Sequence, residues 1–391
     1  MVRTYMDNQN INMPVWPCAD EKEESATNRV LQSACWWRNG GTETKKFETE
    51  FAKYQDCING VSVANGTIAI EAALKALDIG SGDEVIVPDF TFYSTVSAVL
   101  SVGAVTVIVD VSPETFCIDA DEVEAAITDK TKAVIVVHMA GNISDMDRLQ
   151  EITKKHNIHL IEDAAHAHGA EWNGKKAGSF GTVGTFSFQN AKLMTAGEGG
   201  MVTSNDADLL NRLFLEVNCG RAEGDTDYEH VLIGTNARLS EFQGAILRVQ
   251  LQRLPEQIAV REKNYQYLVQ RLEAIQGIKV QTVDSGMTRH PHYMIMFYYD
   301  SEQFNGATRM EFVQYLKTCK LPVNRAYKAI HELPIFAMLP ENAWRFGGNG
   351  ISCPHAKDIS ENVVCLAHNI LLGDESLMDY IVECITKFKK R

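Results

Sequence analysis

Residues 131–163 read TKAVIVVHMAGNISDMDRLQEITKKHNIHLIED, and this stretch decides the fold because it encodes a strand, a helix and a second strand in succession. The apolar runs at 133–137 and 159–162 predict strands, whereas DMDRLQEITKKHN has its apolar residues at helical spacing. Strands that are continuously apolar are typical of a sheet covered on both faces. The stretch therefore predicts two parallel strands joined by a right-handed crossover.

The same alternation of strands and helices extends over roughly residues 45–220. Further strands are predicted at Gly60–Ala64, Glu84–Val87, Thr106–Asp110, Gly184–Phe188 and Gly200–Ser204. An α/β fold with a mainly parallel sheet follows. Residues 239–275 are strongly helical and contain Pro255, which should kink or split the helix. We predict a large domain over residues 1–255 and a smaller α+β domain over residues 256–391.

Composition narrows the class of protein. The 391 residues include 37 Lys and Arg against 51 Asp and Glu, a net charge of −14, which argues against a nucleic-acid partner. The most apolar run, Val96–Val109, is too short to cross a bilayer, and the sequence start has no apolar targeting stretch. Nine scattered Cys suit a reducing compartment. The sequence therefore predicts a cytoplasmic protein with no membrane partner.

Two of the predicted strands end in residues suited to binding a ligand. In VSVANGTIAIEAALKAL, a strand leads through Asn65, Gly66 and Thr67 directly into a helix, whose free N–H groups favour a phosphate. A plain helix cap is the alternative at that point. In IHLIEDAAHAHGA, Asp163 lies at the carboxyl end of an apolar strand, where open α/β sheets bind ligands. His166 and His168 follow, but no further ligand at metal spacing accompanies them.

A third segment, GTFSFQNAKLMTAGEGGMVTS, places Lys192 in a loop between two apolar strands. A partly desolvated lysine is a candidate Schiff-base former, and a solvated loop lysine is the alternative. A phosphate cradle, a strand-end Asp and a loop Lys are together what pyridoxal 5′-phosphate requires. The three segments therefore predict that cofactor.

Long motifs in the right order resemble the DegT/DnrJ/EryC1/StrS family of pyridoxal-phosphate-dependent sugar aminotransferases. They include WWRNGGTETKKFETEFA, GSGDEVIVPDFTF, FSFQNAKLMTAGEGG and GTNARLSEFQGAIL. Within the family, WWRNGG, LQRLPEQIAVRE and HYMIMF are most similar to members that synthesise 3-amino-5-hydroxybenzoate (AHBA), and keto-inositol aminotransferases share part of the pattern. The resemblance implies the fold type I of pyridoxal-phosphate transferases.

The resemblance also implies roles for single residues. Lys192 would be the Schiff-base lysine and proton shuttle, and Asp163 would pair with the pyridine nitrogen. His166 stands where the family often has Gln, and would bind the phenolic oxygen. The remaining cofactor contacts implied by the family are Gly66, Thr67 and Ser187 at the phosphate and Phe92 on the ring.

The family pattern further implies a homodimer with shared active sites. Asn236 matches the N-x-R segment that reaches the phosphate of the neighbouring subunit, and Arg238 anchors the same loop. Ala237 replaces the usual aromatic residue between them. The sequence leaves larger oligomers open.

Four residues are candidates for binding substrate. Trp36 and Trp37 offer flat rings for a sugar or cyclitol face, with simple packing as the alternative. Tyr327 and His331, in RAYKAIHELPIF, match a segment that faces the active site in relatives, and a surface helix start is the alternative.

The resulting hypothesis is an aminotransferase that moves an amino group from glutamate or glutamine to a nucleotide keto sugar or keto-cyclitol, in antibiotic or saccharide biosynthesis. An AHBA-synthase-like lyase that dehydrates and aromatises an amino-cyclohexenone is the second hypothesis. A sensor without turnover, a metal hydrolase using the two histidines and a nucleotide-binding Rossmann domain are less favoured, the last because GSFGTVG lacks the GxGxxG spacing. The donor and the acceptor stay undecided.

Overall fold

The computed structural model describes residues 4–6, 12–348 and 352–389. The strands, numbered in chain order, are β1 Thr4–Met6, β2 Asn12–Pro14, β3 Asn59–Val63, β4 Glu84–Pro88, β5 Val105–Val109, β6 Thr131–Val137, β7 His159–Asp163, β8 Glu171–Trp172, β9 Lys175–Lys176, β10 Val183–Ser187, β11 Gly200–Ser204, β12 Ile278–Val280, β13 Met287–Arg289, β14 Met294–Tyr299, β15 Val323–Arg325, β16 Trp344–Phe346 and β17 Val363–Ala367. The α-helices are α1 Glu21–Ser33, α2 Glu43–Tyr54, α3 Gly66–Ala76, α4 Ser94–Ser101, α5 Ala120–Ala126, α6 Met146–His156, α7 Ala207–Val217, α8 Glu241–Leu272, α9 Arg309–Thr318, α10 Pro354–Asn362 and α11 Glu375–Lys389.

An eight-stranded sheet, ordered β16-β5-β4-β6-β7-β10-β11-β3, forms the centre of the large domain. The strands from β16 to β10 pair in parallel, and β11 is antiparallel to both β10 and β3. Apolar side chains on the two faces of the sheet form two separate buried clusters, which is why its strands are apolar throughout. The predicted strands and the mainly parallel α/β class are confirmed.

A smaller antiparallel sheet, ordered β12-β14-β17-β15, lies in the C-terminal part of the chain. Its apolar core includes Phe297 and Val364 from the strands, Phe312 from α9 and Ile381 from α11. This is the predicted α+β unit. It brings Tyr293, directly before β14, and Tyr327, after β15, to the edge of the large sheet, where both line the cavity described below.

Helix α8 runs unbroken through Pro255, so of the predicted kink or split, the split is wrong. Ser240 and Gln243 form a capping box at its start. The part of the helix before the proline packs against α1 and α2, and the part after it lies against α11. This packing on both sides of Pro255 offsets the hydrogen bond that proline cannot donate. The division between residues 255 and 256 stays a prediction: it falls within α8, and β16, from beyond it, pairs with the large sheet.

Of the helices in the described ranges, none combines the length and the apolar character that a membrane crossing needs.

Candidate active site

A cavity of about 590 Å³ opens at the carboxyl edge of the parallel strands. Strand β7 ends there, the β10–β11 loop crosses it, and α3 and α4 begin beside it. Parallel strands direct their carboxyl ends to one edge, so segments distant in sequence converge. The predicted site residues that line the cavity are Gly66, Thr67, Phe92, Asp163, His166, Ser187, Lys192 and Tyr327.

Asp163 is buried at the end of β7 with only part of its hydrogen-bonding capacity used. Its Oδ2 accepts from the Thr95 hydroxyl at 2.9 Å, and its Oδ1 accepts from the Ala165 N–H at 3.2 Å. Burial raises the pKa of Asp163, while the Thr95 hydrogen bond and the charge of Lys192 oppose that rise. The carboxylate therefore favours a cationic group in the cavity.

Lys192 is half-buried in the β10–β11 loop. Its Nζ lies 4.8 Å from the ring centroid of Tyr293, and its backbone N–H donates to the Gln189 carbonyl at 2.8 Å. Burial lowers the pKa of Lys192 to about 8, although the Asp163 charge acts in the opposite direction. A useful fraction of the amine is therefore neutral, and nucleophilic, near neutral pH.

His166 is held in one tautomer. Its Nδ1 accepts from the Ala140 N–H at 3.4 Å, so the proton of the neutral ring is assigned to Nε2. Burial first, and then the Lys192 charge, hold the pKa of His166 well below its usual range. The ring stacks on Tyr293 at a centroid distance of 4.2 Å and an angle of 22°. His166 therefore has an N–H available for donation.

The start of α3 lies at the cavity and could hold an anion. The Asn65 side chain accepts from the Ile68 N–H at 3.0 Å, which leaves the N–H groups of Gly66 and Thr67 in the first turn without helical partners. Thr67 Oγ1 lies 2.7 Å from Ser94 Oγ, at the start of α4. A Cβ on Gly66 would lie 2.7 Å from that of Ser187, so only glycine allows this approach.

Four other predicted residues do not line this cavity. His331 donates its N–H to Asp89 Oδ1 at 3.0 Å, and its Nδ1 lies 2.6 Å from Asp89 Oδ2. Trp36, Trp37 and Asn236 are exposed on this chain. Trp37 lies near the Arg238 guanidinium, whose carbon is 5.9 Å from its ring centroid.

Sequence reasoning missed Tyr293, Thr95 and Ser94. Tyr293 directly precedes the apolar strand β14, and it contacts both His166 and Lys192. Neither Ser94 nor Thr95 belongs to a strand end or a loop lysine motif, so no sequence signal marked them. Their position follows from α4 packing beside α3.

A second carboxylate, Glu162, precedes Asp163 on β7 but is fully satisfied. It accepts from the N–H groups of Gly178, Phe180 and Gly181 at 2.6–2.7 Å and lies 3.0 Å from His138 Nε2. In the described part of the chain, no three His, Cys, Asp or Glu side chains are placed to share a metal ion.

The sequence pattern of the DegT/DnrJ/EryC1/StrS aminotransferase family matches residues 17–386. The chain is 41% identical to the AHBA synthase of Amycolatopsis mediterranei over 384 residues, covering 95% of this chain and 96% of that one. It is 37% identical over 398 residues to the L-glutamine:2-deoxy-scyllo-inosose aminotransferase of Streptoalloteichus tenebrarius, covering 96% and 93% of the two chains.

Solved structures also match this chain over almost its whole length. The crystal structure of an AHBA synthase matches with a TM-score of 0.90 at 40% identity, covering 96% of this chain and 98% of that one. The E. coli GDP-4-keto-6-deoxy-D-mannose-3-dehydratase with bound hydrated PLP matches with a TM-score of 0.86 at 27% identity, covering 96% and 99%. The predicted fold type I is thereby confirmed.

Proposed function

The chain belongs to the DegT/DnrJ/EryC1/StrS aminotransferase family, and on this premise we propose that it moves an amino group from glutamine or glutamate to the ketone of a small uncharged cyclitol. The family makes the protein a pyridoxal 5′-phosphate enzyme, which confirms the predicted cofactor and the enzyme class. The observation that carries the proposal is the desolvated Lys192 amine in one cavity with the Asp163 carboxylate.

The residues of the cavity fit that cofactor. The cradle at Gly66, Thr67 and Ser187 offers N–H and O–H donors to a phosphate, in a space that a Cβ at position 66 would fill. When bound, pyridoxal phosphate supplies an electron sink for the negative charge that develops at the substrate carbon. Asp163 would hold the proton on the pyridine nitrogen, because its buried carboxylate favours a cationic partner.

His166 and Phe92 would fix the orientation of the cofactor ring. The His166 Nε2–H can donate to a phenolic oxygen, since Nδ1 is already occupied as an acceptor. The Phe92 ring is 55% exposed in a cavity-lining position, where a flat heterocycle can stack on it.

Lys192 would act as the covalent anchor of the cofactor and as the general base and acid. A pKa lowered to about 8 allows its amine to accept a proton from the substrate carbon and to return it one position away. Tyr293, below the amine, excludes water from that side.

The charges of the cavity favour an uncharged acceptor. Of the described residues that line it, Lys192 alone has a cationic side chain, and Glu198 adds a negative charge. A nucleotide sugar would bring a pyrophosphate to a cavity whose described lining has no cationic side chain besides Lys192. This supports a keto-cyclitol, the substrate class in the names of several relatives, over a nucleotide sugar.

The active site would be shared between two copies of the chain. The segment before Asn236 exposes Tyr228, Val231 and Ile233, the last completely, and such apolar exposure is typical of an interface. Asn236 would reach the phosphate of the partner, and Trp36 and Trp37, exposed beside this segment, would wall its acceptor pocket. Arg238 Nη1 donates to Asn218 Oδ1 at 3.0 Å, which fixes the base of the segment.

A subunit-mixing experiment tests the shared site. Lys192→Ala and Asn236→Ala should each be inactive as purified. Co-expressed, they should regain about a quarter of wild-type activity, since half of the dimers are mixed and each has one intact site of two. Mixtures that stay inactive, or a monomer by sedimentation, would refute sharing.

The absorbance spectrum of the purified protein tests the reaction itself. We expect a visible band that disappears on adding glutamine or glutamate, returns on adding a keto-inositol, and is absent in Lys192→Ala. A protein that stays colourless after incubation with pyridoxal phosphate would refute the assignment of the cofactor site.

The second candidate is an AHBA-synthase-like lyase, favoured by the 41% identity to such an enzyme. It would use the same Lys192 amine to remove a proton and then water from an amino-cyclohexenone. Incubation with an amino-cyclohexenone carboxylate separates the two functions, because only the lyase gives a product with aromatic ultraviolet absorbance.

A further inference from the structure

Arg261, on α8, is a buried cation that the proposed chemistry does not use. Its side chain is completely buried, and burial lowers the pKa of its guanidinium to about 9. Nη2 donates to His368 Nδ1 at 3.2 Å. Nε and Nη1 have no hydrogen-bond partner within residues 4–6, 12–348 and 352–389. Since an unpaired buried charge destabilises a fold, Arg261 requires an explanation.

Two aromatic side chains contact the guanidinium. Its carbon lies 5.5 Å from the ring centroid of Trp16, in the segment that follows β2. Trp16 also meets the His368 ring edge to face, at a centroid distance of 4.6 Å and an angle of 83°. Arg261 therefore contacts Trp16 and His368 at once, by a cation–π interaction with the first and a hydrogen bond to the second.

Both aromatic residues donate to the loop that carries Lys192. Trp16 Nε1–H donates to the Asn190 carbonyl at 3.0 Å, and His368 Nε2–H donates to the Ala191 carbonyl at 3.1 Å. The acceptors belong to the two residues immediately before Lys192. Because His368 Nδ1 accepts from Arg261, the proton of the neutral imidazole is assigned to Nε2, where the donation to Ala191 needs it.

The turn directly before Lys192 is closed by hydrogen bonds of its own. The Ala191 N–H donates to Gln189 Oε1 at 2.8 Å, and the Lys192 N–H donates to the Gln189 carbonyl. These bonds close a turn but do not attach it to the rest of the protein. Leu193 and Met194 fix the backbone after Lys192 because they are completely buried. On the other side of Lys192, the turn is held by the donors to the Asn190 and Ala191 carbonyls.

We propose that Arg261 is a positioning residue for Lys192, acting through Trp16 and His368 on the carbonyls of Asn190 and Ala191. The inference rests on the proposed function only in taking Lys192 as the reacting amine. It connects that amine to three distant parts of the chain: the N-terminal segment, α8 and the residue that follows β17.

Single variants test each contact. Trp16→Phe removes one N–H and keeps the ring, whereas His368→Ala removes the second donor. His368→Gln restores a donor near the position of Nε2, so it should recover most of what His368→Ala loses. Arg261→Met keeps the length and removes the charge. Arg248→Met, on the same helix, loses the ion pairs to Glu43 and Glu50 instead and serves as the control.

Hydrogen exchange of the cofactor-loaded enzyme is the first measurement. We expect amides 189–193 to exchange about tenfold faster in Arg261→Met, Trp16→Phe and His368→Ala, and at the wild-type rate in Arg248→Met and His368→Gln. This readout does not depend on turnover. If Arg261→Met does not fold, the Trp16 and His368 variants decide the matter.

The donor half-reaction is the second measurement. We expect kcat to fall about a hundredfold in Arg261→Met and about tenfold in Trp16→Phe, with KM for glutamine within twofold. A displacement of the Lys192 amine by about an ångström slows the chemical step and leaves donor binding unchanged. Exchange and kcat within twofold of wild type in all three variants, with only a lower Tm, would overturn the proposal. A wild-type enzyme inactive with every donor would refute the proposed function but leave the exchange result to decide this one.

Discussion

Glu162 and Asp163 are neighbours on β7, yet their carboxylates have opposite surroundings. Successive residues of a strand point to opposite faces, so each meets a different layer. Glu162 is completely buried and has three backbone N–H donors and His138. The Asp163 carboxylate accepts hydrogen bonds from one hydroxyl and one backbone N–H, and the rest of its surface faces the cavity.

The difference shows how to separate structural from functional charges in a buried sheet. A carboxylate whose acceptor sites are filled by the protein stabilises the loop that fills them, here residues 178–181. A carboxylate with sites left over in a cavity is available for a ligand. The histidines repeat the contrast, since His138 pairs with Glu162 whereas His166 has a free N–H.

Asp163→Asn should have the largest effect on activity. It keeps the shape but removes the charge expected opposite the pyridine nitrogen, so kcat/KM for the donor half-reaction should fall about a thousandfold. Steady-state assays with glutamine check it, and circular dichroism confirms the fold. Activity within tenfold of wild type would remove Asp163 from the proposed mechanism.

Glu162→Gln should instead affect stability. The amide N–H group of the glutamine would face backbone N–H groups that now donate to the carboxylate. We therefore expect the free energy of unfolding to fall by about 3 kcal/mol, with activity per folded molecule within twofold. Urea unfolding measures the first quantity. Glu151→Gln, at an exposed ion pair with Arg148, is the control and should change little. A large loss of kcat without a loss of stability would erase the distinction between the two carboxylates.

Thr95→Val should give an intermediate loss of activity. It removes the hydroxyl that donates to Asp163 Oδ2, and one hydrogen bond to a charged group corresponds to about tenfold in kcat. Thr91→Val should lower kcat less, because the Thr91 hydroxyl contacts the Thr95 hydroxyl and not Asp163 itself. Equal losses in the two variants would mean that general packing, and not the bond to Asp163, is responsible.

The smallest expected effect is the pH dependence of Lys192 in the cofactor-free protein. A pKa of about 8 means that its acetylation rate should rise about fivefold between pH 7 and 8 and about twofold between pH 8 and 10. An ordinary surface lysine would keep rising about tenfold per pH unit over most of that range. Mass spectrometry of the digest follows each lysine separately.

The same experiment compares the two carboxylates. The Asp163 charge raises the pKa of Lys192 against the effect of burial, so Asp163→Asn should speed acetylation at pH 7. Glu162→Gln should leave the profile unchanged. An unshifted profile in Asp163→Asn would show that the two side chains do not interact.

The sequence allowed the fold and the centre of the site to be predicted, because both follow from local patterns. Asp163 and Lys192 were recognisable because each adjoins an apolar strand, and parallel strands must bring such ends together. Thr95, 68 residues before Asp163, was not recognisable, since its contact depends on how α4 packs. His331 was expected to line the site, but it pairs with Asp89 instead. No sequence pattern indicates that pair, because the two residues are 242 positions apart.

Attachment of the Lys192 loop to both Trp16 and His368 has a consequence for the synthesis of the chain. When a ribosome has completed residue 255, it has already synthesised every strand of the large sheet except β16, together with Asp163 and Lys192. The donor to Ala191 is still more than 100 residues from being made, since it is His368. The nascent chain can therefore acquire its scaffold early, but the reactive loop obtains its second anchor only after more than 100 further residues have been made.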